Sequence, residues 1–220
     1  VRVEKGLPLE TICLIGCGVQ TGVGSVLNTA KVVPGSTVLV MGLGGVGLSV
    51  LQGAVIAKAE KVIVSDPVKD RRAKALQLGA TNAIDPTADD LVNAVMELTT
   101  GKGVDYAFDA VGKSELIEAG MTVTRSGGTT VIVGAPPPDD ELKFSSALHL
   151  MMSEKRLLGS LLGSCNAQVD IPLLIDYWQS GLLDLENMIS QTYSLDDINL
   201  GITDLRNSTG IRTVIKIHEN

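Results

Sequence analysis

The chain has 220 residues, of which 45% are hydrophobic and only 3% aromatic, and its formal net charge is −7. This length suits one large domain, or one domain with part of another, with a core of Val, Leu, Ile and Ala. The acidic balance, without a cluster of Lys or Arg, argues against nucleic acid or an anionic membrane as a partner. No apolar run reaches the roughly 18 residues of a membrane span.

The three cysteines, Cys13, Cys17 and Cys165, are odd in number and form no C-x-x-C pair. This usage favours a reducing compartment, so we expect a cytoplasmic protein. Cys13 lies four residues before Cys17, and one helix face could carry both. The simplest interpretation of Cys13 is a small core residue, and Cys165 has no recognisable partner.

Short apolar runs alternate with helical patterns between residues 37 and 163. The runs predict strands over residues 37–42, 61–66, 82–85, 104–112, 129–136 and 156–163. The segments between them predict helices over residues 44–59, 67–79, 87–101, 113–128 and 145–155. This alternation predicts an α/β fold, a doubly wound, parallel, six-stranded Rossmann sheet.

The pattern changes after residue 163, where the sequence predicts a helix, a strand, a helix and a strand over residues 167–181, 187–194, 195–207 and 211–217. We therefore divide the chain into residues 1–30, 31–163 and 164–220, with the Rossmann domain in the middle. The end segments are too short for a domain of ordinary size, and we expect them to be remnants of one second domain. Because the sequence also begins without Met, we expect a fragment of a longer protein.

Residues 41–47, MGLGGVG, contain the spacing G-x-G-x-x-G at Gly42, Gly44 and Gly47. The motif follows a predicted strand and opens a predicted helix, which is the context of a dinucleotide-binding loop. Gly42 would permit the turn, Gly44 would let the backbone approach a pyrophosphate, and Gly47 would allow close helix–sheet packing. The alternative is a glycine-rich turn without a ligand.

Asp66 ends the second predicted strand, 19 residues after Gly47. A carboxylate there can accept hydrogen bonds from the adenosine ribose and would repel a 2′-phosphate, which favours NAD over NADP. Asp66 followed by Pro67 is also typical of a helix N-cap, and the two roles are compatible. Arg71, nearby in sequence, would weaken the discrimination against NADP.

The segments GCGVQTGVGSVLNTAKVVPGSTVLVMGLGGVGLSVLQGA, VIVSDPVKDRRAKALQLGAT, GVDYAFDAVG, VIVGAPP and GIRTVIKI occur in this order over nearly the whole chain. They resemble the zinc-dependent alcohol dehydrogenases of the medium-chain dehydrogenase/reductase superfamily, in particular the class I and class III (formaldehyde dehydrogenase) types. The resemblance implies hydride transfer between an alcohol or aldehyde and NAD, with a catalytic zinc that stabilises the alkoxide. It also implies a GroES-like catalytic domain at the two ends and a homodimer formed through the edge strand near residues 156–162.

The resemblance also implies roles for individual residues. Cys17 matches a catalytic zinc ligand, and Thr21 matches a residue near the nicotinamide. Asp66 and Arg71 match contacts to the adenosine ribose, and Arg212 matches an arginine on the pyrophosphate. The complete implied cofactor-binding set is Gly42, Gly44, Gly45, Val46, Gly47, Asp66, Arg71, Val111, Val133, Gly134, Ala135, Leu161, Leu162 and Arg212.

The sequence departs from the family in the rest of the zinc site. It has no GHE motif and no cluster of four cysteines, and His149 and His218 lie in other contexts. We therefore expect Cys17 to be one ligand of a zinc site that this chain does not complete, and the chain alone to be inactive. Two alternatives remain open, an NAD-binding module without catalysis and a zinc-free, quinone-reductase-like member of the same superfamily. Asp109, at the end of the fourth strand, is interpreted as structural or close to the ribose.

Overall fold

The computed structural model describes residues 1–143 and 146–217, so the interpretation of His218 lies outside the described residues. A six-stranded sheet forms its centre, with strands β1 Thr37–Met41, β2 Lys61–Ser65, β3 Asn82–Ile84, β4 Val104–Asp109, β5 Thr124–Ile132 and β6 Arg156–Gly159. The strand order is β3-β2-β1-β4-β5-β6, and each neighbouring pair is parallel. The doubly wound α/β fold predicted from the sequence is confirmed.

Helices cover both faces of this sheet, and further helices lie near the two ends of the chain. They are α1 Leu9–Ile12, α2 Gly18–Gly24, α3 Gly45–Ile56, α4 Lys69–Gln77, α5 Leu91–Leu98, α6 Ser114–Val123, α7 Ala147–Ser153, α8 Ala167–Gln179 and α9 Ile198–Arg206. A π-helical segment, Ser25–Ala30, continues α2, and short 3-10 turns lie at Cys13–Gly16, Leu162–Ser164 and Glu186–Met188. Over the described residues no single helix is long and apolar enough to span a membrane; only the bent pair Leu9–Gly16 and Gly18–Ala30 meets that length and composition together.

The side chains of β1 alternate between two hydrophobic clusters, because successive residues of a strand point to opposite faces. Val38 and Val40 belong to a cluster that includes residues of α2 and α3. Leu39 and Met41 belong to the second cluster, which includes Val95 of α5. The strand is therefore apolar from Val38 to Met41, as expected for a central parallel strand buried on both faces.

The boundary between α6 and β5 differs from the sequence prediction, which extends the helix to residue 128. The helix ends at Val123, and β5 begins at the next residue, Thr124. The Thr124 hydroxyl donates to the carbonyl of Gly120 at 2.7 Å and lies 3.0 Å from the hydroxyl of Thr130 in the same strand. This buried hydroxyl thus ties the end of the helix to the strand, through side-chain hydrogen bonds that residue periodicity does not report.

The edge strand β6 is shorter than predicted, since it ends at Gly159 instead of residue 163. Beyond it, Leu162 and Ser164 adopt positive φ angles of 48° and 52° and form a turn. The Thr29 hydroxyl lies 2.8 Å from the Ser160 hydroxyl and 2.7 Å from that of Ser164. These contacts hold the segment against the helix that follows α2, so it leaves the sheet.

The last part of the chain forms a two-stranded parallel sheet of β7 Ile189–Ser194 and β8 Arg212–Lys216, with α9 between the strands. The buried side chain of Gln52 in α3 joins this part to the main sheet. Its amide donates to the Asp184 carbonyl at 3.1 Å and accepts from the Asp184 N–H at 2.7 Å. The domain division at residues 30 and 163 stays a prediction. The contacts between Gln52 and Asp184 join residues on either side of position 163.

Candidate functional site

The carboxyl ends of the central strands meet at one edge of the sheet. Met41 of β1 pairs with Ser65 of β2 and with Asp109 of β4. The strand order reverses between β1 and β4, because β2 and β3 lie beyond β1 and β5 and β6 lie beyond β4. Doubly wound folds bind ligands outside the carboxyl ends of the strands at this position. The glycine loop and Asp66 both lie at this edge.

The glycine loop has the geometry that its spacing predicts. Gly42 has φ +89°, and its N–H donates to the Ser65 carbonyl at 2.8 Å. A methyl group on Gly47 would overlap the carbonyl oxygen of Gly42, so the start of α3 can approach β1 only with glycine there. Gly44, in contrast, faces open space, because a β-carbon at this position would meet no atom within 4 Å. Gly42 and Gly47 are required by the protein itself, whereas Gly44 leaves room for another molecule.

Asp66 is 4% exposed, and backbone groups engage both its carboxylate oxygens. The Leu43 N–H donates to Oδ2 at 2.7 Å, and the Val68 N–H donates to Oδ1 at 2.8 Å. Helix α4 begins at Lys69 with Val68 as its N-cap, so the predicted N-cap role of Asp66 is wrong by two residues. The carboxylate instead joins the glycine loop to the start of α4. Each oxygen keeps a second lone pair with which to accept a hydrogen bond.

Arg212 lies at the N-terminal end of α3. A β-carbon on Gly45 or on Gly18 would overlap its guanidinium group, which therefore covers the backbone of both residues. Among the described residues, no carboxylate forms an ion pair with Arg212. The first N–H groups of a helix carry partial positive charge, so a cation beside them is unfavourable unless an anion is present as well.

The side chain of Arg71 points to the turn at residues 208–210, shortly before β8. Its Nε donates to the Gly210 carbonyl and its Nη2 to the Ser208 carbonyl, both at 3.1 Å. Its Nη1 lies 4.0 Å from Oδ2 of Asp66. Arg71 and Arg212 line one cavity of about 320 Å³, together with apolar side chains of α9 and β8.

The loops after β4 and β5 are joined by Asp109, which is fully buried. Its carboxylate accepts from the N–H groups of Val111 at 3.1 Å and Gly112 at 2.9 Å. Its backbone carbonyl accepts from Val133 and Gly134, both at 2.9 Å. Burial raises the pKa of this carboxyl, although the backbone donors oppose the shift. The structure thus supports the structural interpretation of Asp109, which brings the predicted residues Val111, Val133 and Gly134 together, with Ala135 next in the chain.

Cys17 is exposed and precedes α2, whereas Thr21 is buried one turn further along. The Thr21 N–H donates to the Cys17 carbonyl at 3.0 Å. Gly22 allows α2 to approach α3, because a β-carbon there would lie 2.5 Å from the Val46 carbonyl oxygen. This close packing places Cys17 next to the glycine loop, with Gly18 under Arg212.

Zinc requires about four ligands, of which proteins supply at least three. Within residues 1–143 and 146–217, no group of three His, Cys, Asp or Glu side chains comes together. The described residues therefore do not fit a zinc site by themselves. His149 is exposed on α7 and adds no ligand near Cys17.

The structure overturns the expectations for Cys13 and Cys165. Cys13 is exposed, so its interpretation as a core residue is wrong. It begins a 3-10 turn, and Cys17 has φ −142° and ψ −76°, so the two cysteines do not share one continuous helix face. Cys165 does have partners, since its Sγ lies 3.4 Å from the Gln20 carbonyl, to which it donates, and 3.5 Å from the Asn28 amide. This contact holds the turn that carries Leu161 and Leu162, both exposed, against α2.

Sequence reasoning missed four residues that shape this region. Gly18 and Gly22 lie in a stretch of small residues, and their spacing of four is the signal that could have indicated a helix-packing face. Ser190, whose hydroxyl accepts from the Ile211 N–H at 2.8 Å, and Ser208, whose carbonyl accepts from Arg71, carry no signal in the sequence.

The sheet order and the glycine loop define a Rossmann-type α/β protein. The chain belongs to the zinc-binding dehydrogenase family, whose profile matches residues 45–179. The family resemblance seen in the sequence is therefore confirmed.

Relatives and solved structures agree with this assignment. The NDMA-dependent alcohol dehydrogenase of Amycolatopsis methanolica is 41% identical over 98% of this chain and 58% of its own length. The crystal structure of benzyl alcohol dehydrogenase from Acinetobacter calcoaceticus is 34% identical, with a TM-score of 0.94 over 99% of this chain and 59% of its own. A structure from Sinorhizobium meliloti 1021 bound to NADP is 26% identical, with a TM-score of 0.83 over 91% of this chain and 58% of its own. The chain thus spans less than two thirds of the length of these relatives.

Proposed function

We propose that this chain binds NAD at the carboxyl edge of its sheet and supplies the cofactor site of an alcohol dehydrogenase. The observation that carries the proposal is the Arg212 guanidinium over Gly45, at the N-terminus of α3. A pyrophosphate between these two positive groups would balance both, and the open space beside Gly44 offers it room. When bound, NAD supplies the hydride acceptor for oxidation of an alcohol, or the donor as NADH for reduction of an aldehyde.

The protein's own part is to bind and orient the cofactor. Asp66 would accept hydrogen bonds from the adenosine ribose with the lone pairs that Leu43 and Val68 leave free. Val111, Val133 and Gly134, which Asp109 holds together, would support the nicotinamide end, and Thr21 would lie near the nicotinamide. Val46, half-buried behind the glycine loop, would contact the ring. Leu161 and Leu162, which follow β6 in the chain, would add contacts at the nicotinamide end.

We propose NAD rather than NADP, because a 2′-phosphate would face the buried Asp66 carboxylate. Two observations oppose this preference. Arg71 lies 4.0 Å from that carboxylate, and the Sinorhizobium structure holds NADP.

A fluorescence titration with NADH and with NADPH tests the preference for NAD. We expect NADH to bind at least about tenfold more tightly, a difference of ~1.4 kcal/mol. Equal affinities would contradict the proposed role of Asp66.

For zinc, we propose that Cys17 supplies one thiolate ligand and that residues outside this 220-residue chain supply the others. The exposed position of Cys17 beside the glycine loop supports this role, since a ligand must be reachable by partner residues. The chain alone should then bind NAD without oxidising alcohols and without retaining stoichiometric zinc. Metal analysis of the purified chain, with an alcohol-dependent NADH assay, tests this. Retained zinc at one equivalent would contradict it.

We also propose that the chain forms a homodimer through its edge strand. Arg156–Gly159 pairs with β5 on one side, and its other edge is open among the described residues. Exposed apolar side chains lie nearby, including Leu148, Met151 and Leu161. An unpaired apolar edge is a site of association. Sedimentation at micromolar concentration should give the dimer mass, and a monomer alone would contradict the proposal.

A further inference from the structure

Arg71 joins two parts of the molecule that are distant in sequence. Its guanidinium donates to the carbonyls of Ser208 and Gly210 at 3.1 Å and lies 4.0 Å from Oδ2 of Asp66. The side chain is 20% exposed; its bond to Gly210 is partly buried, whereas its bond to Ser208 is exposed. Both bonds come from a charged donor, and charge-assisted hydrogen bonds are stronger than neutral ones.

The turn that Arg71 holds leads directly to Arg212. Ser208 and Gly210 have left-handed φ angles of 55° and 71°, a conformation that costs free energy at a serine. Arg71 contacts the carbonyls of both these residues. On the other side, the Ile211 N–H donates to the Ser190 hydroxyl at 2.8 Å. The turn is therefore held from two sides immediately before the residue whose guanidinium covers Gly45.

We propose that Arg71 is a positioning residue for the cofactor pyrophosphate: it holds the turn at residues 208–210 so that Arg212 covers the N-terminus of α3. This inference rests on the proposed NAD function. Its Nη1 lies 4.0 Å from Asp66, beyond hydrogen-bond distance, so the ribose end should depend on Arg71 much less, and this role differs from the ribose contact that the family resemblance implies. It acts on the pyrophosphate through Arg212, not by touching it.

A double-mutant cycle with two ligands tests this role. Adenosine carries the ribose but no phosphate, whereas ADP-ribose carries the pyrophosphate as well. We expect Arg71→Met to weaken ADP-ribose binding about tenfold and adenosine binding less than twofold. In an Arg212→Met background, Arg71→Met should change ADP-ribose affinity less than about twofold, because the residue through which it acts is gone.

Two further variants separate geometry from charge. Lys69→Met removes one exposed positive charge from the same helix without touching the turn, and it should leave both affinities within about twofold of wild type. Arg71→Lys keeps the charge but loses the planar fork, so most of the tenfold loss should remain. Full recovery by lysine, equal losses for adenosine and ADP-ribose, or additive losses in the Arg212→Met background would each overturn the proposal.

Amide hydrogen exchange of the ligand-free chain keeps this inference separate from the NAD assignment. We expect Arg71→Met to accelerate exchange at residues 209–213 at least about fivefold while α3 stays protected, since only the local turn is released. Unchanged exchange there would overturn the positioning role whether or not NAD binds. If the turn loosens but wild-type chain binds no ADP-ribose, the failure belongs to the proposed NAD site, and the cofactor part of the inference falls with it.

Discussion

The guanidinium group of Arg212, the first residue of β8, covers the α-carbon of Gly45, the first residue of α3. The two residues are far apart in sequence, and Arg212 belongs to the small sheet whereas Gly45 follows a strand of the large one. Their contact brings a cation to the positive end of a helix, beside a loop position that is open to a ligand. An anionic ligand would make this arrangement favourable, and the pyrophosphate of NAD is the anion that we propose for it.

Gly44→Ala should impair NAD binding without destabilising the fold. Gly44 has φ −69° and ψ −172°, which alanine adopts freely, and its β-carbon would meet no protein atom within 4 Å. The methyl group would occupy only the space proposed for the pyrophosphate, so we expect an affinity loss of about tenfold or more. Calorimetric titration with NAD, beside thermal unfolding, measures both effects.

Gly16→Ala is the matched control, because its β-carbon also meets open space and this exposed residue lies outside the proposed cofactor-binding set. It should leave NAD affinity unchanged. Normal NAD binding by Gly44→Ala would show that the glycine loop does not approach the ligand there.

Gly22→Ala should destabilise the chain by ~1–3 kcal/mol through overpacking between α2 and α3. The added carbon would lie 2.5 Å from the Val46 carbonyl oxygen and 2.7 Å from the Val50 nitrogen, neither of which can move without shifting α3. Urea denaturation measures the loss. Gly16→Ala, at an exposed position with no atom within 4 Å, should change the free energy of unfolding by less than ~0.5 kcal/mol. Equal stabilities of the two variants would refute close packing at Gly22.

Asp109→Asn should remove part of the pH dependence of stability. Burial raises the pKa of this carboxyl in the folded chain, so the folded state binds its proton more tightly than the unfolded state does. Its stabilising contribution is therefore complete below the ordinary carboxyl pKa, near pH ~4, and declines as the pH rises through the raised pKa.

The difference in unfolding free energy between wild type and Asp109→Asn should accordingly shrink as the pH rises above about 4. A constant loss is expected in addition, because asparagine presents one acceptor oxygen to the N–H groups of Val111 and Gly112. Parallel stability curves over this range would mean that Asp109 is ionised in the folded chain with an ordinary pKa.

The sequence predicts those parts of the fold that depend on local pattern. The strands, the glycine loop and the strand end before Asp66 follow from apolar runs and glycine spacing. The positions of β1, β2 and β3 agree with the structure to within one residue, whereas β4, β5 and β6 end three to four residues earlier than predicted. Errors occur where side-chain hydrogen bonds, some local and some distant in sequence, decide where an element begins or ends. Thr124 starts β5 because its hydroxyl bonds to Gly120 and Thr130, and β6 stops at Gly159 because Thr29 holds Ser160 and Ser164.

In the candidate site too, single residues can be predicted from the sequence, whereas the contacts between them cannot. The sequence and the family resemblance name Asp66, Arg71 and Arg212 individually, but neither reports that Arg71 is bonded to the turn before Arg212. The partners in that turn are backbone carbonyls, which every residue possesses, so no residue type marks them. Cys13 fails for a related reason: small apolar residues are usually buried, and only the placement of the N-terminal turn exposes this one.

Calorimetric titration of the chain with NAD, for wild type and Arg212→Met, tests the central claim most directly. We expect one NAD per chain for wild type and an affinity at least about tenfold lower for Arg212→Met, with both proteins equally folded. No binding by wild type at millimolar NAD, or the same affinity for the two proteins, would contradict the proposed cofactor site.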